Sequence, residues 1–126
     1  MLHHVSLGVA DLQRSSVFYD AALLPLGYVR VWSDSTAIGY GLPGGGDKLA
    51  LKLRPNGLVV LGPGFHLALA APTRESVMAF YKAALSNGGK DNGAPGLRPH
   101  YGPNYYAAFV VDPDGHHIEA VINAAA

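Results

Sequence analysis

His4 and His66 stand in the same local setting. Each leads an alternating apolar run, and each precedes a Phe-Tyr pair by fourteen residues (Phe18-Tyr19 and Phe80-Tyr81). The stretch HVSLGVADLQRSSVFYDAAL, from His4 to Leu23, aligns without a gap onto HLALAAPTRESVMAFYKAAL, from His66 to Leu85. Such self-similarity marks an internal duplication. Two neutral imidazoles at equivalent positions, joined by a carboxylate such as Glu119, form a ligand set for Fe(II), Mn(II), Ni(II) or Zn(II). They leave coordination positions open for water or substrate. A lone strand histidine is ordinarily structural and a lone glutamate ordinarily solvated. The duplication, not either residue alone, singles out His4 and His66, and strand parity adds Glu119.

The elements that must position these residues follow from periodicity. Val5, Leu7 and Val9 alternate with His4, Ser6 and Gly8, the pattern of a strand buried on one side. Leu67 and Leu69 alternate with His66, Ala68 and Ala70 in the same way. Asp11 and Thr73 are N-cap residues for the helices that follow, and Gly27 and Asn87-Gly88-Gly89 are their stops. In the second helix Val77, Phe80, Tyr81, Ala84 and Leu85 form an apolar stripe at helical spacing. Further strands are expected at YVRVW (28–32), TAIGY (36–40), KLALKL (48–53), YYAAFVV (105–111) and HHIEAVI (116–122). Asp112-Pro113-Asp114-Gly115 makes a hairpin turn between the last two. The fold class is therefore α+β, with helices on the apolar face of curved, largely antiparallel sheet. By parity His4, Lys52, His66 and Glu119 project from the face the helices leave uncovered.

The 126 residues form one domain (1–126), large enough to bury about two thirds of the surface its unfolded chain exposes. Nine basic and nine acidic residues give no net charge and no basic stripe. That argues against nucleic acid and against an anionic membrane surface. The chain has no cysteine, which removes disulfides, thiolate metal sites and a cysteine nucleophile. No apolar run approaches the roughly 18 residues of a membrane span and no signal segment is visible, so a cytoplasmic domain is the expectation.

The segment GGKDNGAPGLRPHYGPNYY (88–106) has no periodicity and holds three prolines and five glycines, so it reads as a long functional loop. Within it Arg98 is a candidate to hold a carboxylate or enediolate oxygen. His100 and Tyr101 are candidates to carry a proton. Lys52 is a further acid/base candidate. Trp32 and Tyr40 are expected to line the cleft. His3, His116 and His117 are expected bystanders, with His117 sharing the parity of Glu119.

The residues HHVSLGVADLQRSSVFYDAAL, FHLALAAPTRESVMAFYKAAL and AFVVDPDGHHIEAV, in that order, resemble the vicinal oxygen chelate superfamily. This superfamily includes glyoxalase I, the extradiol dioxygenases and the bleomycin-resistance proteins. The resemblance covers nearly the whole chain. It implies two tandem βαβββ modules, about 1–60 and 61–126, forming a cupped mixed sheet around a metal site, with homodimers common. It also implies that His4, His66 and Glu119 occupy three of the family's ligand positions. At the fourth, where glyoxalase I has a glutamate, the nearest match is Lys52. Two unit positive charges repel by about 4 kcal/mol at 4 Å and an effective dielectric near 20, and a divalent ion beside an ammonium roughly doubles that.

Two functions follow. The first is a divalent-metal-dependent lyase, isomerase or dioxygenase acting on a small substrate with vicinal oxygens. The second is a metal-free pocket of the bleomycin-resistance type, with Lys52 paired to Glu119.

Overall fold

The computed structural model describes residues 1–126. Strand β1 (Val5–Val9) leads into helix α1 (Leu12–Leu23), then β2 (Val29–Ser33), β3 (Ala37–Gly41) and β4 (Leu49–Leu53). The order then repeats as β5 (Leu67–Ala70), α2 (Arg74–Ser86), β6 (Lys90–Leu97), β7 (Tyr105–Val111) and β8 (His117–Asn123). The chain is thus two tandem βαβββ modules. Each forms a four-stranded sheet, ordered β1-β4-β3-β2 and β5-β8-β7-β6. In each sheet the first and last strands pair in parallel and the remaining pairs are antiparallel. The duplicated stretch therefore occupies one topological place twice.

Local chemistry fixes the helix ends. The Asp11 carboxylate accepts the Arg14 N–H and the Thr73 hydroxyl accepts the Ser76 N–H, each satisfying one orphan amide of the first turn. α1 gives way to a short 3-10 turn, Leu24–Leu26, that ends at Gly27 with φ of 92°. The shared FYxAAL block drives the packing. Phe18, Tyr19, Ala22, Leu23, Phe80 and Ala84 are all buried, and both helices join both sheets in a single apolar cluster. Each fully buried aromatic or leucine side chain contributes about 1.5–3 kcal/mol of hydrophobic burial. Leu85 stays at the margin, more exposed than its place in the stripe predicts. No helix is long and apolar enough to cross a membrane.

The Asp-Pro-Asp-Gly turn joins the modules. Asp112 accepts from the Tyr19 hydroxyl at 2.5 Å and from the backbone N–H groups of Asp114 and His116. Asp114 accepts from Ala10 N, Arg14 Nη2 and Ser15 Oγ of the first module. His116, expected to be a bystander, is buried with Nε2 at 2.8 Å from the Gly8 carbonyl. Asp112, Asp114 and His116 thus hold the second module to the first.

The segment 88–106 is not one loop. Lys90–Leu97 forms edge strand β6 against β7, with register shifts between Asp91 and Gly93 and between Gly93 and Gly96. These irregularities erase the period-2 signal, and Pro95 is tolerated because the strand lies at a sheet edge. Only 98–104 connects β6 to β7.

Candidate functional site

The strand registers settle which side chains share a face. On β8, Glu119 pairs with Ala68 of β5 and Phe109 of β7. The side chains of Ile118, Ala120 and Val110 enter the core, so Glu119 emerges on the opposite face beside His66. His66 Nε2 lies 3.1 Å from Glu119 Oε1. The Tyr105 hydroxyl donates to Glu119 Oε2 at 2.5 Å. Glu119 is only 2% exposed, whereas His66 is 53% exposed and faces a cavity of about 630 Å³. A buried carboxylate needs both oxygens satisfied, and here each has one partner. Burial, and then the bond to Glu119, push the Tyr105 phenol up to about 12.

The cavity belongs to the second module. Its wall is aromatic at Phe65, Tyr101, Tyr105 and Phe109, and polar at Asn92, His66, His117 and Glu119. The connecting segment between the modules closes one side through Leu61 and Phe65. His117 lies 3.3 Å from Asn92 through Nδ1, so the histidine that shares Glu119's parity does reach the cavity.

The remaining candidates fall into two groups. Tyr101 lines the cavity and packs on Tyr105 with ring centroids 5.2 Å apart. The other three do not line it. Arg98 donates to the carbonyls of Gly96 and Ala94 and lies over the Phe109 ring at 5.3 Å, so its guanidinium anchors β6. His100 is exposed and stacked on Tyr101. Lys52 is on β4 of the other sheet, paired in register with Gly8 and Ala37, and makes no ion pair with Glu119. Tyr40 points to the core side and donates to Asp20.

His4 also lies apart. It precedes β1 in the first sheet, with its Nδ1 2.8 Å from that of His3, and borders a separate small cavity with Lys48, Leu49 and Leu67. One chain therefore brings together His66 and Glu119 but not His4. No group of three or more His, Cys, Asp or Glu side chains is arranged to hold a metal ion.

The same registers correct the fourth position. Two residues beyond His66, Ala68 pairs with Glu119, and two residues beyond His4, Ser6 pairs with Ala50. The first-module counterpart of Glu119 is thus Ala50, and Lys52 lies one pleat further along. Ala50 in turn pairs with Gly39, and Gly39 with Trp32. A Cβ on Gly39 would meet the Trp32 indole at 2.2 Å, so Trp32 lies flat across the strand on the uncovered face. A β-bulge between Arg30 and Trp32 turns the indole to that side.

Tyr105 was the residue that local reading missed as a site member. Its signal was present, because Tyr105, Ala107 and Phe109 alternate along β7 and Phe109 pairs with Glu119.

A His-Glu-Tyr cluster thus lies at the floor of an aromatic cavity in the second of two βαβββ modules. Residues 1–120 match the Glyoxalase/Bleomycin resistance protein/Dioxygenase superfamily, and the chain belongs to it. It is similar to the crystal structure of a glyoxalase/bleomycin resistance protein from Albidiferax ferrireducens, at 36% identity and TM-score 0.79, over 94% of each chain. A glyoxalase-related enzyme from Fulvimarina pelagi is 27% identical with TM-score 0.75, over 98% of this chain and 88% of that one. A glyoxalase I mutant from Zea mays is 29% identical with TM-score 0.70, over 95% of this chain and 46% of that one. No curated protein matches the chain.

His66 and Glu119 fit a divalent cation. Two ligand atoms bound cis at about 2.1 Å in octahedral geometry lie about 3 Å apart, which is the separation of His66 Nε2 and Glu119 Oε1. The pair supplies one imidazole nitrogen and one carboxylate oxygen, two of the six positions of an octahedral sphere.

Proposed function

We propose that the protein is a divalent-metal-dependent enzyme of the lyase, isomerase or dioxygenase type, acting on a small molecule that offers two adjacent oxygens. It works in the cytoplasm as a homodimer whose site is completed between chains, with His66 and Glu119 from one copy and His4 from the other. The observation that carries this reading is the His66–Glu119 pair, held 3.1 Å apart at the floor of an aromatic cavity. A bound Fe, Mn, Ni or Zn ion supplies Lewis-acid polarisation of the substrate oxygens.

The chain's own residues do the rest. Glu119 Oε1 stands beside His66 Nε2 as the carboxylate oxygen that would hold the ion, while Oε2 is taken by the Tyr105 hydroxyl. Phe65, Phe109 and Tyr101 exclude water and orient a flat substrate, and Tyr101 is the candidate for contact at the rim. Docking the first-module face of a second copy over the cavity would deliver His4 together with Lys52 and Trp32, all on that face. Exposed apolar groups support such docking. Leu58, Val60 (84% exposed) and Phe65 crowd the connecting segment, and Trp32 is 39% exposed.

The test is metal content of the untagged protein beside His66→Ala prepared identically. Near-stoichiometric Fe, Mn, Ni or Zn, lost in the variant, is the expected result. No metal as purified, and none taken up on anaerobic titration with each ion, would sink the reading. A metal-free binding pocket would then be favoured, supported by the fact that His66 and Tyr105 already satisfy both oxygens of Glu119. In that second reading the ligand would be held rather than converted. It no longer involves Lys52, which lies on the other sheet.

A further inference from the structure

Glu119 is the buried member of the pair, and a glutamate on a strand can present either oxygen, or both, to a cation. Here the choice is already made. Oε1 faces His66 Nε2 at 3.1 Å, while Oε2 receives the Tyr105 hydroxyl at 2.5 Å, within the range of a strong O–H···O⁻ bond. Tyr105 is itself held firmly. It begins β7 with its backbone in the β7–β8 ladder, and its ring packs against Tyr101.

We propose that Tyr105 is the positioning residue of the metal site. Its phenol holds Glu119 as a one-oxygen ligand, with Oε1 alone presented beside His66. This rests on the metal-dependent reading above and adds to it the group that sets the carboxylate's denticity. Removing the hydroxyl leaves a buried oxygen without a partner, and the carboxylate is then free to turn and chelate through both oxygens. Outer-shell partners of this kind commonly change metal affinity by about 10–100-fold.

The experiment compares wild type, Tyr105→Phe and Tyr81→Phe, each titrated anaerobically with Mn(II) and Zn(II) by calorimetry. The infrared carboxylate stretches of the Zn(II)-loaded forms are recorded beside them, with Glu119→Gln identifying the band. Tyr105→Phe is expected to lose about 10–100-fold in affinity. The splitting between its asymmetric and symmetric stretches should narrow, as two-oxygen binding requires. Tyr81→Phe, on α2 and away from the cavity, should match wild type. A merely structural Tyr105 would lower the melting temperature without moving the splitting.

If wild type binds and Tyr105→Phe binds within about threefold with the same splitting, this proposal is overturned while the metal reading stands. If wild type takes up no ion, both fall together. Should Tyr105→Phe fail to fold, the wild-type spectrum decides, because a narrow two-oxygen splitting there overturns the proposal by itself.

Discussion

Glu119 brings a carboxyl group into a nearly closed setting, and two neighbours make that tolerable. Replacing it by glutamine keeps the shape and removes the charge. Glutamine keeps an acceptor oxygen for the Tyr105 hydroxyl, so Glu119→Gln should lose about 1–3 kcal/mol in urea, the worth of a charge-assisted hydrogen bond. Its affinity for Mn(II) or Zn(II) should nevertheless fall by at least about 100-fold, since an anionic ligand has gone. Equal loss of fold and of binding would mean that Glu119 is only a structural residue. Trp32 offers a second test at this scale. It is the only tryptophan of the chain, so its emission reports one position. Gly39→Ala would drive a methyl into the indole, and the emission maximum should move to longer wavelength as the ring is lifted into water. An unchanged spectrum would refute the flat placement of Trp32 across β3.

Elements are coupled by two polar knots, each with a measurable signature. The first docks the modules. Asp114 of the β7–β8 turn accepts three bonds, from Ala10 just after β1 and from Arg14 and Ser15 in the first turn of α1, and its side chain is 2% exposed. Asp114→Ala leaves buried donors unpaired, and a loss of about 2–4 kcal/mol is expected by urea denaturation. The second ties α1 to β2 and β3. Arg30 clamps the Asp20 carboxylate through two bonds of 2.9 and 2.8 Å, and the Tyr40 hydroxyl adds a third at 2.8 Å. Burial pushes the Asp20 carboxyl up, but the bonds from Arg30 and Tyr40 outweigh it, so it is held below its ordinary value. A carboxyl lowered on folding stabilises the fold at pH above its ordinary value, and that contribution is lost as the pH falls through the folded value. Asp20→Asn should therefore cost about 1 kcal/mol at pH 7, and the gap to the parent should close below about pH 4. A gap that is flat with pH would show that the charge on Asp20 is irrelevant.

Over the whole molecule, the decisive separation is between His4 and the His66–Glu119 pair, which sit on different sheets. If a second copy supplies His4, then His4→Ala and His66→Ala are each defective alone but complementary when mixed. Random reassociation of equal amounts yields half heterodimers, each with one intact site. Metal binding should then recover to about a quarter of wild type. No recovery after unfolding and refolding the mixture would argue for a site within one chain. Sedimentation of wild type gives the companion result, a dimer at micromolar concentration. It should be weakened by Val60→Asp if the exposed connecting segment lies in the interface.

The sequence alone determined what depends on neighbours along the chain. Period-2 alternation located β1, β5, β7 and β8 and put His66 and Glu119 on one face, because strand side chains alternate regardless of context. The repeated HxxLxxxxxxxxxxFY stretch announced two equivalent modules, and Asp11 and Thr73 marked their helix starts. Register was beyond it. Whether Ala50 or Lys52 stands where Glu119 stands in the second module depends on how β4 slides against β1, and a strand's own residues do not fix that alignment. The bulges of β6 hid a strand inside an apparent loop. Distance was beyond it as well. His4 and His66 share a parity but not a sheet, because the helices of both modules meet in one core and leave each uncovered face to its own module. Only the tertiary structure could put Tyr105 on Glu119 and set His4 apart from both.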